Sequence, residues 1–171
     1  RNRADSLFRE AEDSATILIA SSVSSPELPA LVEHLRQRLE LTPALLIHAV
    51  CSGRLEFFTA AMVNLSGLDD RKVRAILATG RPHALKALFQ SIGLSGDVVD
   101  VFSEATLMWR RAARSQLPEA AASVSAELLS HFRDVSGSET LFELLHAVRK
   151  LSIAEERQKA RYYAQALAVE A

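Results

Sequence analysis

Along nearly the whole chain, apolar residues return with a period close to 3.6, the signature of helices with one buried face. Leu7, Ala11, Ala15 and Leu18 define such a face for a first helix. Leu28, Leu31, Val32, Leu35 and Leu39 define one for a second. Ser24 ahead of Pro26 and Glu27 supplies a start signal for it, the serine capping free amides while the glutamate reaches back. Residues 1–40 are thus expected to form an N-terminal helix pair. Farther on, Val98, Val101, Phe102, Ala105, Met108, Trp109 and Ala112 mark a longer helix that runs into Arg110, Arg111 and Arg114. Pro118 predicts a break. Val124, Leu128 and Phe132 then share a face, and so do Leu141, Leu144, Leu145, Val148 and Leu151. Ser136 to Glu139 spells a capping box for the latter helix. Ser152 to Glu155 spells a second, predicting a separate and mostly solvated last helix. No segment alternates apolar and polar residues between turns as a strand does.

Residues 41–96 add a repeat to this pattern. Gly53, Gly67, Gly80 and Gly93 fall 14, 13 and 13 residues apart. Glycine adopts the left-handed backbone that closes a helix, so each is expected to end one, several with positive φ. The segments between them alternate. Leu41-Thr-Pro, Leu68-Asp-Asp and Leu94-Ser-Gly open one kind, with Thr42, Asp69 and Ser95 as N-caps and Pro43 at a first helical position. Arg54 and Arg81, each directly after glycine, open the other. One helix pair per repeat cannot bury its apolar face alone, whereas stacked pairs can. The expected fold is therefore all-α: short antiparallel helix pairs stacked as a small HEAT-like solenoid, then longer helices over 97–171, in one domain spanning 1–171. Phe58, Leu77, Leu88, Phe102, Trp109 and Leu144 are expected in its core.

Composition agrees with helices. Hydrophobic residues are 49% of 171 and aromatics only 6%, which permits a core while disfavouring a sheet. The single cysteine, Cys51, excludes an internal disulfide or a cysteine-based zinc cage and suits a reducing cytoplasm. The longest uncharged runs, Ser14–Pro26 and Leu41–Gly53, are far shorter than the roughly 20 residues that span a bilayer, so no membrane association is expected. The chain opens at Arg1 instead of Met, so it is expected to be a piece of a longer protein. Net charge is -1 overall, but the segments differ: -2 over 1–40, +3 over 41–96 and -2 over 97–135. The basic middle makes Arg54, Arg71, Lys72, Arg74, Arg81 and Lys86 the candidate binding residues. A stripe of them suits a protein or acidic peptide partner better than nucleic acid, because neither tyrosine nor the tryptophan interleaves with it.

Catalytic candidates are few. Of His34, His48, His83, His131 and His146, no two lie one helical turn apart, so no metal site is expected. His48 reads as a half-buried structural residue and His131 as a surface histidine between Glu127 and Asp134. Cys51 sits near a helix C-terminus, where the dipole opposes a thiolate, and reads as a packed hydrophobe. Asp69 and Asp70 read as capping residues at a helix start. There is no Gly-x-Ser-x-Gly nucleophile turn, and no glycine-rich phosphate loop. Leu145-His-Ala-Val-Arg-Lys150 loosely matches the helix of a histidine phosphotransfer domain, which sets a histidine beside a cation one turn on. Here these are His146 and Arg149, with Lys150 where a small residue is usual.

The run from Leu41 through Gly53-Arg-Leu-Glu-Phe-Phe58 to Ala61, followed by Leu65-Ser-Gly-Leu68 and Val73-Arg-Ala-Ile-Leu77, resembles a bacterial family, domain of unknown function 2336, seen mainly in alphaproteobacteria. The likeness is best over 41–95. It implies a helical, repeat-like structure and carries no catalytic residue over. With no cofactor expected, the residues point to a non-enzymatic interaction or scaffold module, with a homo-oligomer as one form. The alternative is a histidine-phosphotransfer component using His146.

Overall fold

A computed structural model describes residues 2–115 and 124–170; the side chain of Leu7 and the break at Pro118 lie outside the described residues. The described chain is all-α. In order it runs α1 (Asn2–Ser22), a 3₁₀ turn (Ser25–Glu27), α2 (Leu28–Gln37), α3 (Pro43–Cys51), α4 (Leu55–Ser66) and α5 (Asp70–Thr79). Then come α6 (Pro82–Ser91), α7 (Gly96–Arg114), α8 (Val124–His131) and α9 (Glu139–Glu170).

The start signals work as their chemistry dictates. Thr42 Oγ1 accepts the Leu45 amide at 3.2 Å and Asp69 Oδ1 accepts the Lys72 amide at 2.9 Å. Ser95 is the N-cap of α7 in the same extended conformation, its hydroxyl turned to Asp97. Gly53, Gly67 and Gly93 close helices with φ of 73°, 70° and 89°. Gly80 also ends a helix, but at φ -58°. What closes α5 there is a side chain from α7, described below.

A fourth left-handed stop falls on a leucine. The sequence put Leu39 on the inner face of the second helix, but α2 ends at Gln37. Leu39 takes φ 59° and is 88% exposed. The Glu40 amide donates to Leu35 O at 2.9 Å, the same closure that Arg54 makes to Ala49 O after Gly53. Closing the helix with a six-residue hydrogen-bonded loop requires the left-handed conformation, and it swings the leucine outward.

Helices adjacent in sequence pack together from α3 through α9, and α9 returns across α3. α3 therefore touches α1, α4, α7 and α9, and six of its nine residues are buried. At the centre Phe58, Phe89 and Phe102 join α4, α6 and α7, with ring centroids 5.6–6.2 Å apart. Leu88 and Leu144 are buried as expected, whereas Leu77 and Trp109 are half-buried because they line a cavity.

Two expectations are corrected. α1 turns the opposite face inward: Ile17 and Ala20 are buried, while Ala11, Ala15 and Leu18 are exposed. The helix carries two apolar stripes, and the one that meets α3 holds Ile17. Neither expected capping box of α9 is used: Ser138, not Ser136, accepts the Leu141 amide at 3.1 Å where the helix starts, and the helix then runs unbroken through Ser152. Ser152 lies on the face of Leu141, Leu144 and Val148 and is buried, and Glu155 instead accepts the Ser125 hydroxyl of α8 at 2.6 Å.

Candidate functional site

The six candidate cations are all exposed, and the fold gives them different surroundings. Lys72 pairs with Asp69 at 3.5 Å, Arg74 with Asp70 at 2.8 Å and with Glu56 at 2.9 Å, and Lys86 with Asp100 of α7 at 2.8 Å. Those hydrogen bonds from Arg74 hold the Glu56 carboxyl below its usual range. Arg71 on α5 and Arg81 at the start of α6 have no carboxylate partner among the described residues. Arg54, at the start of α4, faces a groove shared with α1 and α9.

Arg74 also lines a second hollow, a cavity of about 400 Å³ between α4, α5 and α7. Leu55, Phe58, Leu77 and Trp109 wall it, and Arg110 and Arg114 join Arg74 around it. Arg110 is the side chain that closes α5. Its guanidinium donates to Leu77 O at 2.7 Å and Gly80 O at 2.7 Å, carbonyls that the helix end leaves open, and to Ile76 O at 2.6 Å, which also accepts the Gly80 amide. Burial, and then the neighbouring charge of Arg114, lower the pKa of Arg110. Trp109 packs over the α3–α4 turn, where a Cβ on Gly53 would lie 2.8 Å from its ring. Its indole Nε1 is buried without an acceptor among the described residues.

The groove between α1, α3 and α9 measures about 490 Å³ and gathers titratable groups. Burial, with Glu12 nearby, raises Asp13 from 3.8 to about 6. Burial also raises Glu155, against the Ser125 hydrogen bond, and lowers His48. Glu10 and Lys150 pair across its rim, α1 to α9. Sequence reading missed both hollows. Arg110 reaches 30–34 residues back and the groove draws on three distant helices, so no local spacing signals either.

The remaining candidates fall apart from one another. His146 and Arg149 are exposed on α9. His48 is half-buried, and Cys51 is buried with its thiol pushed up to about 12 by desolvation. His131 meets Phe132 edge-on with ring centroids 4.8 Å apart, and Glu127 pairs with Arg111 of α7 instead of with it. Among the described residues no trio of His, Cys, Asp or Glu is placed to hold a metal ion, and no helix is long and apolar enough to cross a membrane.

Exposed large apolar side chains gather most on α1 and on the far end of α9. α1 exposes Phe8 (73%), Leu18 and Ile19, and the far end of α9 exposes Tyr162, Tyr163, Leu167 and Val169. Every α9 position from 156 to 169 is exposed. A family model described as an uncharacterised protein conserved in bacteria (DUF2336) matches residues 1–161. No curated protein and no solved structure matches the chain.

Proposed function

The chain belongs to the DUF2336 family of bacterial proteins, and we propose that it is a non-enzymatic interaction or scaffold module that holds a protein partner. The observation that carries this reading is the far end of α9. From 156 to 169 every position of that helix is exposed, a span of roughly 20 Å. Isolated helices of about that length are marginal in water. A projecting helix that displays two tyrosines, a leucine and a valine gains its stability by laying them on another surface. Arg157 and Arg161 on the same segment, with Arg71 and Arg81 on α5 and α6, favour an acidic partner surface. The second copy of a homo-oligomer is one such partner.

Affinity capture from the native host, read by mass spectrometry, tests the proposal with three baits: wild type, Tyr162→Ala/Leu167→Ala and Arg71→Glu/Arg81→Glu. A partner retained by wild type and lost from both variants, with helical content unchanged, is the expected result. Identical capture by all three would remove the interaction surface. The phosphotransfer alternative rests on His146 and Arg149 both facing solvent. Incubation with acetyl phosphate discriminates: acid-labile label at His146 near stoichiometry would replace the scaffold reading.

A further inference from the structure

The cavity between α4, α5 and α7 combines an apolar interior with an unbalanced rim. Leu55, Phe58, Leu77 and Trp109 give it hydrophobic and aromatic walls. The two hydroxyls facing it are already committed as donors, Thr59 to Leu55 O at 2.7 Å and Thr106 to Phe102 O at 2.8 Å. Among the described residues three guanidiniums line it and no carboxylate does. Two of the three are engaged. Arg74 is held by Glu56 and Asp70, and Arg110 by three backbone carbonyls. Arg114 is exposed and has no carboxylate partner among the described residues, while its charge bears on Arg110. At about 400 Å³ the cavity falls in the lower part of the range of small-ligand sites, about 300–1,000 Å³.

We infer that this cavity is a binding site for a small amphiphilic monocarboxylate, whose apolar body lies against Phe58, Leu77 and Trp109 and whose carboxylate meets Arg114. Burying an aliphatic or aromatic body supplies the affinity, and the guanidinium supplies the choice of head group. A cationic head is repelled by Arg110 and Arg114, neither of which has a carboxylate partner among the described residues. A neutral head leaves the Arg110–Arg114 repulsion in place, whereas one carboxylate relieves it. The site is independent of the α9 surface on which the scaffold reading rests, so either stands if the other fails.

The protein carries its own reporter, because Trp109 is the only tryptophan. Titration with decanoate, below micelle-forming concentrations, should change Trp109 emission saturably. Decanol and decylammonium should bind at least about fivefold more weakly. Arg114→Gln should weaken decanoate by about fivefold while leaving decanol unchanged, the effect of removing one partly exposed charge-assisted contact. Ala113→Leu, which fills the cavity from its exposed edge, should abolish the response in a protein that melts like wild type. No saturable response to decanoate overturns the inference. So does equal affinity for the three head groups, or decanoate binding indifferent to Arg114→Gln. A dimer in sedimentation that Ala113→Leu dissociates would assign the cavity to a second copy of the chain and overturn it equally.

Discussion

Arg110 offers the sharpest test of how the fold is held. Its three hydrogen bonds join α7 to the end of α5 across 30–34 residues of sequence, and they replace the left-handed stop that glycine provides elsewhere. Arg110→Met keeps the aliphatic stem and deletes the donors. Hydrogen bonds to a charged group contribute about 1.5–3 kcal/mol each when buried. Here Ile76, Leu77 and Gly80 are all half-exposed, so water takes over part of the role, and the total falls to about 2–3 kcal/mol. For a domain of this size that lowers Tm by roughly 4–12 °C. The local signature is faster hydrogen exchange at the Gly80 amide, which donates to Ile76 O at 2.9 Å. Gly80→Ala strikes the same atom, because its Cβ would lie 2.5 Å from Ile76 O. The double variant should therefore lose clearly less than the sum of the two single losses. A loss under about 0.5 kcal/mol for Arg110→Met, or strict additivity with Gly80→Ala, would refute the reasoning.

Three further outcomes follow from particular residues. Leu39→Gly should raise stability by about 1 kcal/mol, since Leu39 holds a left-handed conformation, is 88% exposed and contributes almost nothing to packing; a lower urea midpoint would contradict this. Phe102→Ala should cost about 3–5 kcal/mol, because the ring is fully buried against Phe58 and Phe89, and an unchanged denaturation midpoint would dissolve the aromatic centre. Native Asp13 keeps its proton to about pH 6, whereas the unfolded chain releases it near 4. The folded state binds more proton in that window, so this contribution is complete below pH 4 and is lost as pH rises through 6. Asp13→Asn should flatten that part of the stability–pH curve, and a curve of unaltered slope would show Asp13 to be solvated.

The helix pairs of 41–96 were legible because their signals are local. A cap bonds an amide three residues on, and a closing glycine bonds a carbonyl a few residues back, so Thr42, Asp69, Gly53 and Gly93 act within their own segments. The face of α1 was not legible, because Ala11, Ala15 and Leu18 make as good a stripe as Ile17 and Ala20, and only the partner helix chooses between them. Ser152 misled for a related reason. A capping box requires a chain that has somewhere to turn, and with no glycine or proline nearby the helix continued until burial and Ser125 claimed Ser152 and Glu155. The basic character of the middle segment was visible in its composition. Which of its charges are spoken for was not, since Glu56 and Asp100 reach Arg74 and Lys86 from neighbouring helices.

The near-zero net charge conceals a division that α3 enforces. Val50 on one side of that helix borders the cavity lined by Arg74, Arg110 and Arg114. Ile47, His48 and Ser52 border the groove that holds Glu10, Asp13 and Glu155. Two hollows of different charge thus sit back to back across one buried helix. The Gly53–Arg54 turn at its end serves both, with Trp109 pressed over Gly53 and Arg54 pointing into the groove. Packed interiors transmit displacement because they have little free volume to absorb it. A ligand that shifts the Trp109 ring therefore pushes on the turn that places Arg54 in the groove with Asp13. A link from that turn to Asp13 would be reciprocal, ligand and proton each shifting the other's binding. The affinity of decanoate should then depend on pH around 6 in wild type and lose that dependence in Asp13→Asn; a pH profile identical in the two proteins would show that α3 separates the hollows without connecting them.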